Sequence, residues 1–346
     1  MCAPQALAAG YTLNQSNLDA AAATPDNPHE GIFCGDGMDF CVLSEGDWTQ
    51  EGNIDLSTVE ISGTPVQGLI LQNNVNISNP DGGTFKGNIN ITDADEVTLN
   101  NLNVTGNVAI QNGSADVTID GGSYTGEGSG AALNIDNVNT VTVNNATFAA
   151  GEASAAYIFG GNIININGGS FTSEGDNGIE VLGFNSLNIT SGTFTGAKNG
   201  LLFEHIPDGS SVSLSGGTFT GTGANGKAIY SGNTGDTATI TNMLLDGYHF
   251  TNSTISTEDG LGGGVYIAST TSVVSDSASE EETAGEEAET EAATTAETTS
   301  GIGSPDTGAY TAEEGSANSS SILAIMSTVL VALTGAILVK KHSKRA

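Results

Sequence analysis

VSLSGGTFTG, residues 212–221, is the clearest copy of a ten-residue unit that recurs along most of the chain. The other copies are VTLNNLNVTG (97–106), VTIDGGSYTG (117–126), VTVNNATFAA (141–150), ININGGSFTS (164–173), LNITSGTFTG (187–196) and ATITNMLLDG (238–247). Two weaker copies precede them: IDLSTVEISG (54–63), and VNISNPDGGTFKG (75–87) with three residues inserted. Starts lie 21, 22, 20, 24, 23, 23, 25 and 26 residues apart, and a period of that size denotes a solenoid. Positions 1 and 3 are almost all Val, Ile or Leu, while positions 2 and 4 are polar, as in a strand with one face buried. Positions 5 and 6 favour Gly and Asn, which suit a corner. Position 8 is apolar (Ile61, Phe85, Val104, Tyr124, Phe148, Phe171, Phe194, Phe219, Leu245) and is expected to stack inward from coil to coil. A second apolar stretch lies between units, at 132–135, 155–159, 178–182, 200–203 and 228–230. The expectation is an all-β, right-handed parallel β-helix of about nine coils, three short strands to a coil, over residues 54–268. At about 4.8 Å per rung that makes a rod of roughly 45 Å. Neither strict hexapeptides nor a GGxGxDxUx run occurs, which sets aside the left-handed helix and the calcium-binding roll.

Composition agrees with a thin core and many turns: 48 of the 346 residues are Gly and 5% are aromatic. The net charge is −33, and before residue 340 the cations are Lys86, Lys198 and Lys227, so nucleic acid is excluded as a partner. Such acidity suits a secreted or surface protein. Cys34 and Cys41 flank turn residues and are expected to form a loop disulfide outside the cytosol. His29 is the one further ligand type close by, so no metal site is expected there. No cofactor is implied.

The remaining segments bracket the solenoid. Residues 1–10 read as the end of a signal peptide, with Ala6-Leu7-Ala8 as a small-x-small cleavage pattern. Residues 11–53 depart from the repeat and are the expected N-terminal cap, with a short helix around residues 13–23. Residues 248–268 are expected to cap the other end. Residues 269–303, rich in Thr, Ala, Ser and Glu without a cation, read as a self-repelling linker. Residues 322–339 are eighteen uncharged, mostly apolar residues followed by Lys340, Lys341, Lys344 and Arg345, a membrane-spanning helix with a positive end.

Upstream of that helix stands Ser304-Pro305-Asp306-Thr307-Gly308. A PxTG motif, an apolar segment and a basic tail in this order resemble the cell-wall sorting signal of Gram-positive surface proteins. The resemblance covers the last forty-odd residues, 304–346. It implies a sortase that cleaves between Thr307 and Gly308 and joins Thr307 to peptidoglycan, the helix holding the chain at the membrane until then. Ser304 stands where Leu is commonest, which implies a sortase subclass that accepts SPxTG. The protein is therefore expected outside the cell, anchored to the wall.

The solenoid is similar to the pectate-lyase-like β-helices of polysaccharide enzymes and bacterial adhesins. Lyases of that kind need a Lys or Arg base. The sole arginine is Arg345, and Lys198 and Lys227 fall at expected turns as surface residues. Hydrolases of similar fold use acids on neighbouring coils. Asp116, Asp120 and Asp136 are near one another in sequence, but no acid recurs at position 4 of adjacent coils, where Asn100 and Asn144 sit. Glu180 and Glu204 lie one coil apart and are the one candidate catalytic pair. His205 and His249 have no nucleophile pattern near them. Tyr157, Phe159, Phe184 and Tyr230 are candidate sugar-stacking rings. The expectation is a non-enzymatic adhesin or binder of host or dietary glycans. A polysaccharide lyase or hydrolase is the first alternative, and a structural spacer the second.

Overall fold

The structure is a computed structural model that describes residues 10–276, except 37, 73, 112–115, 205–208, 233–239, 241 and 258–263. Residues 1–9, the expected signal-peptide remnant less its last residue, most of 269–303 and the whole of 304–346, with Ser304, Pro305, Asp306, Thr307 and Gly308 and the segment 322–339, lie outside the described residues. Among the described residues no helix is long and apolar enough to cross a membrane.

Three parallel ladders wind around one apolar core. The first carries positions 1–4 of the repeat, in the register Val75, Val97, Val117, Val141, Ile164, Leu187, Val212. Its inward partners Ile77, Leu99, Ile119, Val143, Ile166, Ile189 and Leu214 are all buried. The second ladder is the inter-unit stretch, running Leu69, Ile89, Val108, Leu133, Ala156, Ile179, Leu201, Ile229. The third holds position 8: Ile54, Phe85, Val104, Tyr124, Phe148, Phe171, Phe194, Phe219. Within it Tyr124, Phe148, Phe171, Phe194 and Phe219 form a continuous stack, with ring centroids 4.9–5.0 Å apart. Each offset pair adds about 0.5–1.5 kcal/mol beyond simple burial.

The chain is thus an all-β parallel solenoid, but of about six turns rather than nine: Val75 to Val212 is six steps of the first ladder. The two end copies are not coils. Ile54 pairs with Phe85, so position 1 of that copy occupies the place of position 8; Leu56 opens a short 3-10 turn, and Ile61 lies in a hairpin with Thr64. At the other end Leu244, position 7, bridges to Leu214, position 3, and Leu245 is 46% exposed where inward stacking was expected. A second difference concerns the corners. In the central coils the second and first ladders share single strands, Leu133–Asn144, Ala156–Ile166 and Ile179–Ile189, which bend instead of breaking.

The ends are closed as the solenoid rule demands. Helix α1 (Gln15–Ala23) starts at Asn14, whose side chain accepts the Asn17 N–H, and buries Leu18, Ala21 and Ala22 over the open end. The cap also continues the ladders: Trp48 pairs with Ile77 and Tyr11 with Trp48, the two rings stacked at 4.6 Å. Cys34 and Cys41 face each other across the hairpin of Ile32–Cys34 and Phe40–Leu43 and are disulfide-bonded. At the far end, strands Val265–Ala268 and Thr270–Ser275 pair antiparallel with the last strands of the second and third ladders. The parallel stack ends there, and these two strands pair in turn, again antiparallel, with Ile255–Thr257 and Tyr248–Phe250. Thr270–Ser275 therefore belongs to the cap, although its composition reads as linker.

Candidate functional site

Register decides what stands on the outer face of the second ladder. One outward row reads Asn134, Tyr157, Glu180, Leu202, Tyr230; the row two residues on reads Asp136, Phe159, Leu182, Glu204. Just beyond, Asn137 (φ 52°), Gly160 (φ 64°) and Gly183 (φ 58°) take left-handed conformations and turn the chain towards the first ladder. Asn and Gly are the residues that adopt this conformation at least cost. After the bend, amides stack from coil to coil. Asn185 Nδ2 donates to Asn162 Oδ1 at 2.9 Å, Asn162 Nδ2 to Asn139 Oδ1 at 3.2 Å, and Asn139 Nδ2 to the Asp116 carboxylate at 2.8 Å. The result is a shallow depression along the axis, lined by Asn137, Asn139, Gly160, Asn162, Gly183 and Asn185.

Two apolar side chains bracket it in the central coil. Phe159 is 46% exposed and Ile163 37%, on either side of Gly160-Gly161-Asn162. An exposed Phe beside a row of amides has the chemistry to meet a molecule that is apolar on one face and hydrogen-bonding at the edges. Asp136 shares Phe159's register, and its Oδ1 accepts from Asn137 Nδ2 at 2.7 Å. Burial holds its carboxyl above the ordinary 3.8.

The other expected rings go elsewhere. Phe184 is 1% exposed, turned into the core by the bend at Gly183. Tyr157 is half-buried. Tyr230 is covered by Lys227, whose Nζ stands 4.4 Å from its centroid and 5.0 Å from that of Tyr266. Lys227 thus begins strand Lys227–Ser231 and sits over aromatic rings, not on a turn as the sequence implied. Lys198 is a surface residue paired with Asp176 at 3.1 Å.

The candidate catalytic groups do not assemble as a stacked pair. Glu180 lies opposite Leu202, and Glu204 lies opposite Leu182, two residues out of register; the Glu204 side chain is outside the described residues. Glu180 Oε2 instead accepts from Ser154 Oγ at 2.8 Å and Asn177 Nδ2 at 3.1 Å. Asp116 and Asp120 close opposite ends of one strand, and Asp136 lies in a different strand, before the bend. His249 Nδ1 stands 2.7 Å from Asp276 Oδ1, and His205 lies outside the described residues. Among the described residues no three His, Cys, Asp or Glu side chains come together as a metal site would require.

No family model, curated protein or solved structure matches the chain. The surface itself must therefore carry the functional argument.

The outward stripe of the first ladder (Asn76, Thr98, Thr118, Thr142, Asn165, Asn188, Ser213) is in register and polar, as positions 2 and 4 imply. A second depression near its start is lined by Asp47, Asn76, Ser78, Thr98 and Asn100, but Trp48 beneath it is 1% exposed and offers no ring. The Asn139–Asn162–Asn185 ladder went unrecognised in the sequence. Its signal was present: these residues recur at an interval of 23 in positions that the ten-residue template does not cover.

Proposed function

We propose that the protein is a surface β-solenoid that binds glycans without turning them over. It belongs to the right-handed pectate-lyase-like kind. That hand follows from the coil length and from the strong preference of parallel crossovers. The observation that carries the reading is the exposed ring of Phe159 beside the axial amide row. Pyranose rings offer an apolar C–H face for an aromatic ring and equatorial hydroxyls for amides and carboxylates. The Glu180 carboxylate is held by Ser154 Oγ and Asn177 Nδ2, and among the described residues no Lys or Arg stands in the lining of the depression, which favours binding over a lyase. The experiment is a glycan-array screen of the full chain with a reducing-end assay on every hit. Binding without release supports the reading; release that Glu180→Gln abolishes contradicts it and restores a hydrolase or lyase.

The same proposal places the protein on a Gram-positive cell wall, joined through Thr307 by an SPxTG-accepting sortase, with residues 322–339 as the transient membrane anchor. It rests on the order of motif, apolar segment and basic tail at 304–346. Thr307→Ala shifts the protein from the wall fraction to the membrane or medium; an unchanged distribution removes the sortase from the account.

A further inference from the structure

We infer that the ligand of the Asn139–Asn162–Asn185 depression is an uncharged glycan chain lying along the solenoid axis, with one sugar stacked on Phe159, and that uronate and sulfated chains are rejected. This inference rests on the glycan-binding reading above and names the ligand class.

The axis follows from the geometry of the amides. They repeat once per coil, about 4.8 Å apart, so a ligand that meets all three must extend from coil to coil. Each ladder amide spends one N–H or one carbonyl lone pair on each neighbour, and a primary amide has a second of each to offer. Donors and acceptors therefore alternate along the row, which matches hydroxyls that both give and take a proton. The floor is bare at Gly160, Gly161 and Gly183, so no side chain stands between Phe159 and the amides in the central coil. A Cβ at Gly160 would come 2.4 Å from Asn137 Oδ1, and would crowd both the corner and the approach to it.

The charge preference follows from what surrounds the row. Its lining holds amides and glycines, and the ionisable groups nearest in sequence and register are acids. Asp116 ends the ladder, Asp136 shares the register of Phe159, and Glu180 stands on the next outward row. The three lysines of the described residues are engaged elsewhere: Lys86 with Asp55, Lys198 with Asp176, and Lys227 over Tyr230 and Tyr266. Among the described residues a polyanion would meet carboxylates with no cation to offset them. A cationic chain would be drawn to the same carboxylates and is the competing ligand class to test. Asp116 and Glu180 already accept hydrogen bonds from Asn139, Ser154 and Asn177, and Asp136 from Asn137. The remaining acceptor capacity of Asp136 suits a sugar hydroxyl, a charge-assisted bond that requires no counter-charge on the ligand.

Calorimetric titration of the full chain with hexasaccharides separates the classes. The neutral set covers gluco-, galacto-, manno- and N-acetylglucosamine oligomers; a galacturonate hexamer is the anionic probe and a glucosamine hexamer the cationic one. At least one neutral oligomer should bind at least tenfold more tightly than the galacturonate hexamer at low salt. Phe159→Ala and Asn162→Ala should each weaken that binding about tenfold or more. Equal or tighter binding of the galacturonate hexamer, or tighter, salt-sensitive binding of the glucosamine hexamer, overturns the ligand class while leaving glycan binding intact. Failure of every oligomer, charged or neutral, overturns both.

Discussion

Asp136 shows what a single position contributes and costs. Its carboxyl is held above 3.8 by burial, without a cation to compensate. A raised value in the fold means the folded chain binds the proton more tightly than the unfolded chain. Stability from this group is then present at low pH and falls as pH rises through the folded value. Asp136→Asn should raise the urea midpoint at pH 7 and change it little at pH 3, where the acid is largely protonated in both states. A midpoint that moves equally at both values would show that the group is not desolvated. Site residues were only half legible in the sequence. Phe159 was visible as one of four candidate rings, but not as the exposed one among them. What separates it from Phe184 is the left-handed Gly183, which shifts the outward alternation by the time the chain reaches Phe184. That is a property of backbone conformation, and periodicity does not report it.

At the level of the element, the repeat works through two demands, a filled core and a tight corner. Phe171 sits in the middle of the ring stack, 1% exposed, and Phe171→Ala should cost about 3–5 kcal/mol in chemical denaturation. Gly169 is the corner: its φ is +104°, and a Cβ there would lie 2.2 Å from Ala146 O, which already accepts the Ser170 N–H. Gly169→Ala should cost about 3 kcal/mol or more. Gly128, at φ +60° with open space around it, should cost about 1 kcal/mol on the same change. Equal losses at the two glycines would mean that backbone strain alone, and not the close approach, sets the requirement. The ten-residue template read these elements well because each job falls on a fixed residue type. It failed at the ends. The copies at 54–63 and 238–247 supply apolar residues at the right intervals, yet Ile54 joins the third ladder beside Phe85 and Leu244 takes the rung beside Leu214. Alternation fixes which side chains turn inward; which neighbour a strand pairs with depends on chain geometry beyond ten residues.

The solenoid is a closed stack, and its closures are where stability is expected to be set. A solenoid unwinds from its ends, since each coil contacts only its neighbours. The N-terminal end is held by α1, by the Tyr11–Trp48 stack and by the Cys34–Cys41 bond, which spans seven residues of sequence. Replacing both cysteines by serine should lower stability by about 2 kcal/mol, as a short-loop disulfide implies. Thermal unfolding with and without reductant measures it, and an unchanged curve would show that the cap is held by packing alone. Fold class was legible because glycine corners and strand alternation follow from local chemistry. The face that carries Phe159 and the amide row was less so, because it is assembled by register between coils. The account therefore turns on Phe159. The deciding measurement is the glycan array probed side by side with wild type, Phe159→Ala and Leu245→Ala, the last an equally exposed apolar residue far along the sequence from the depression. The account predicts that Phe159→Ala loses the wild-type signal while Leu245→Ala keeps it. A Phe159→Ala profile indistinguishable from wild type would contradict it.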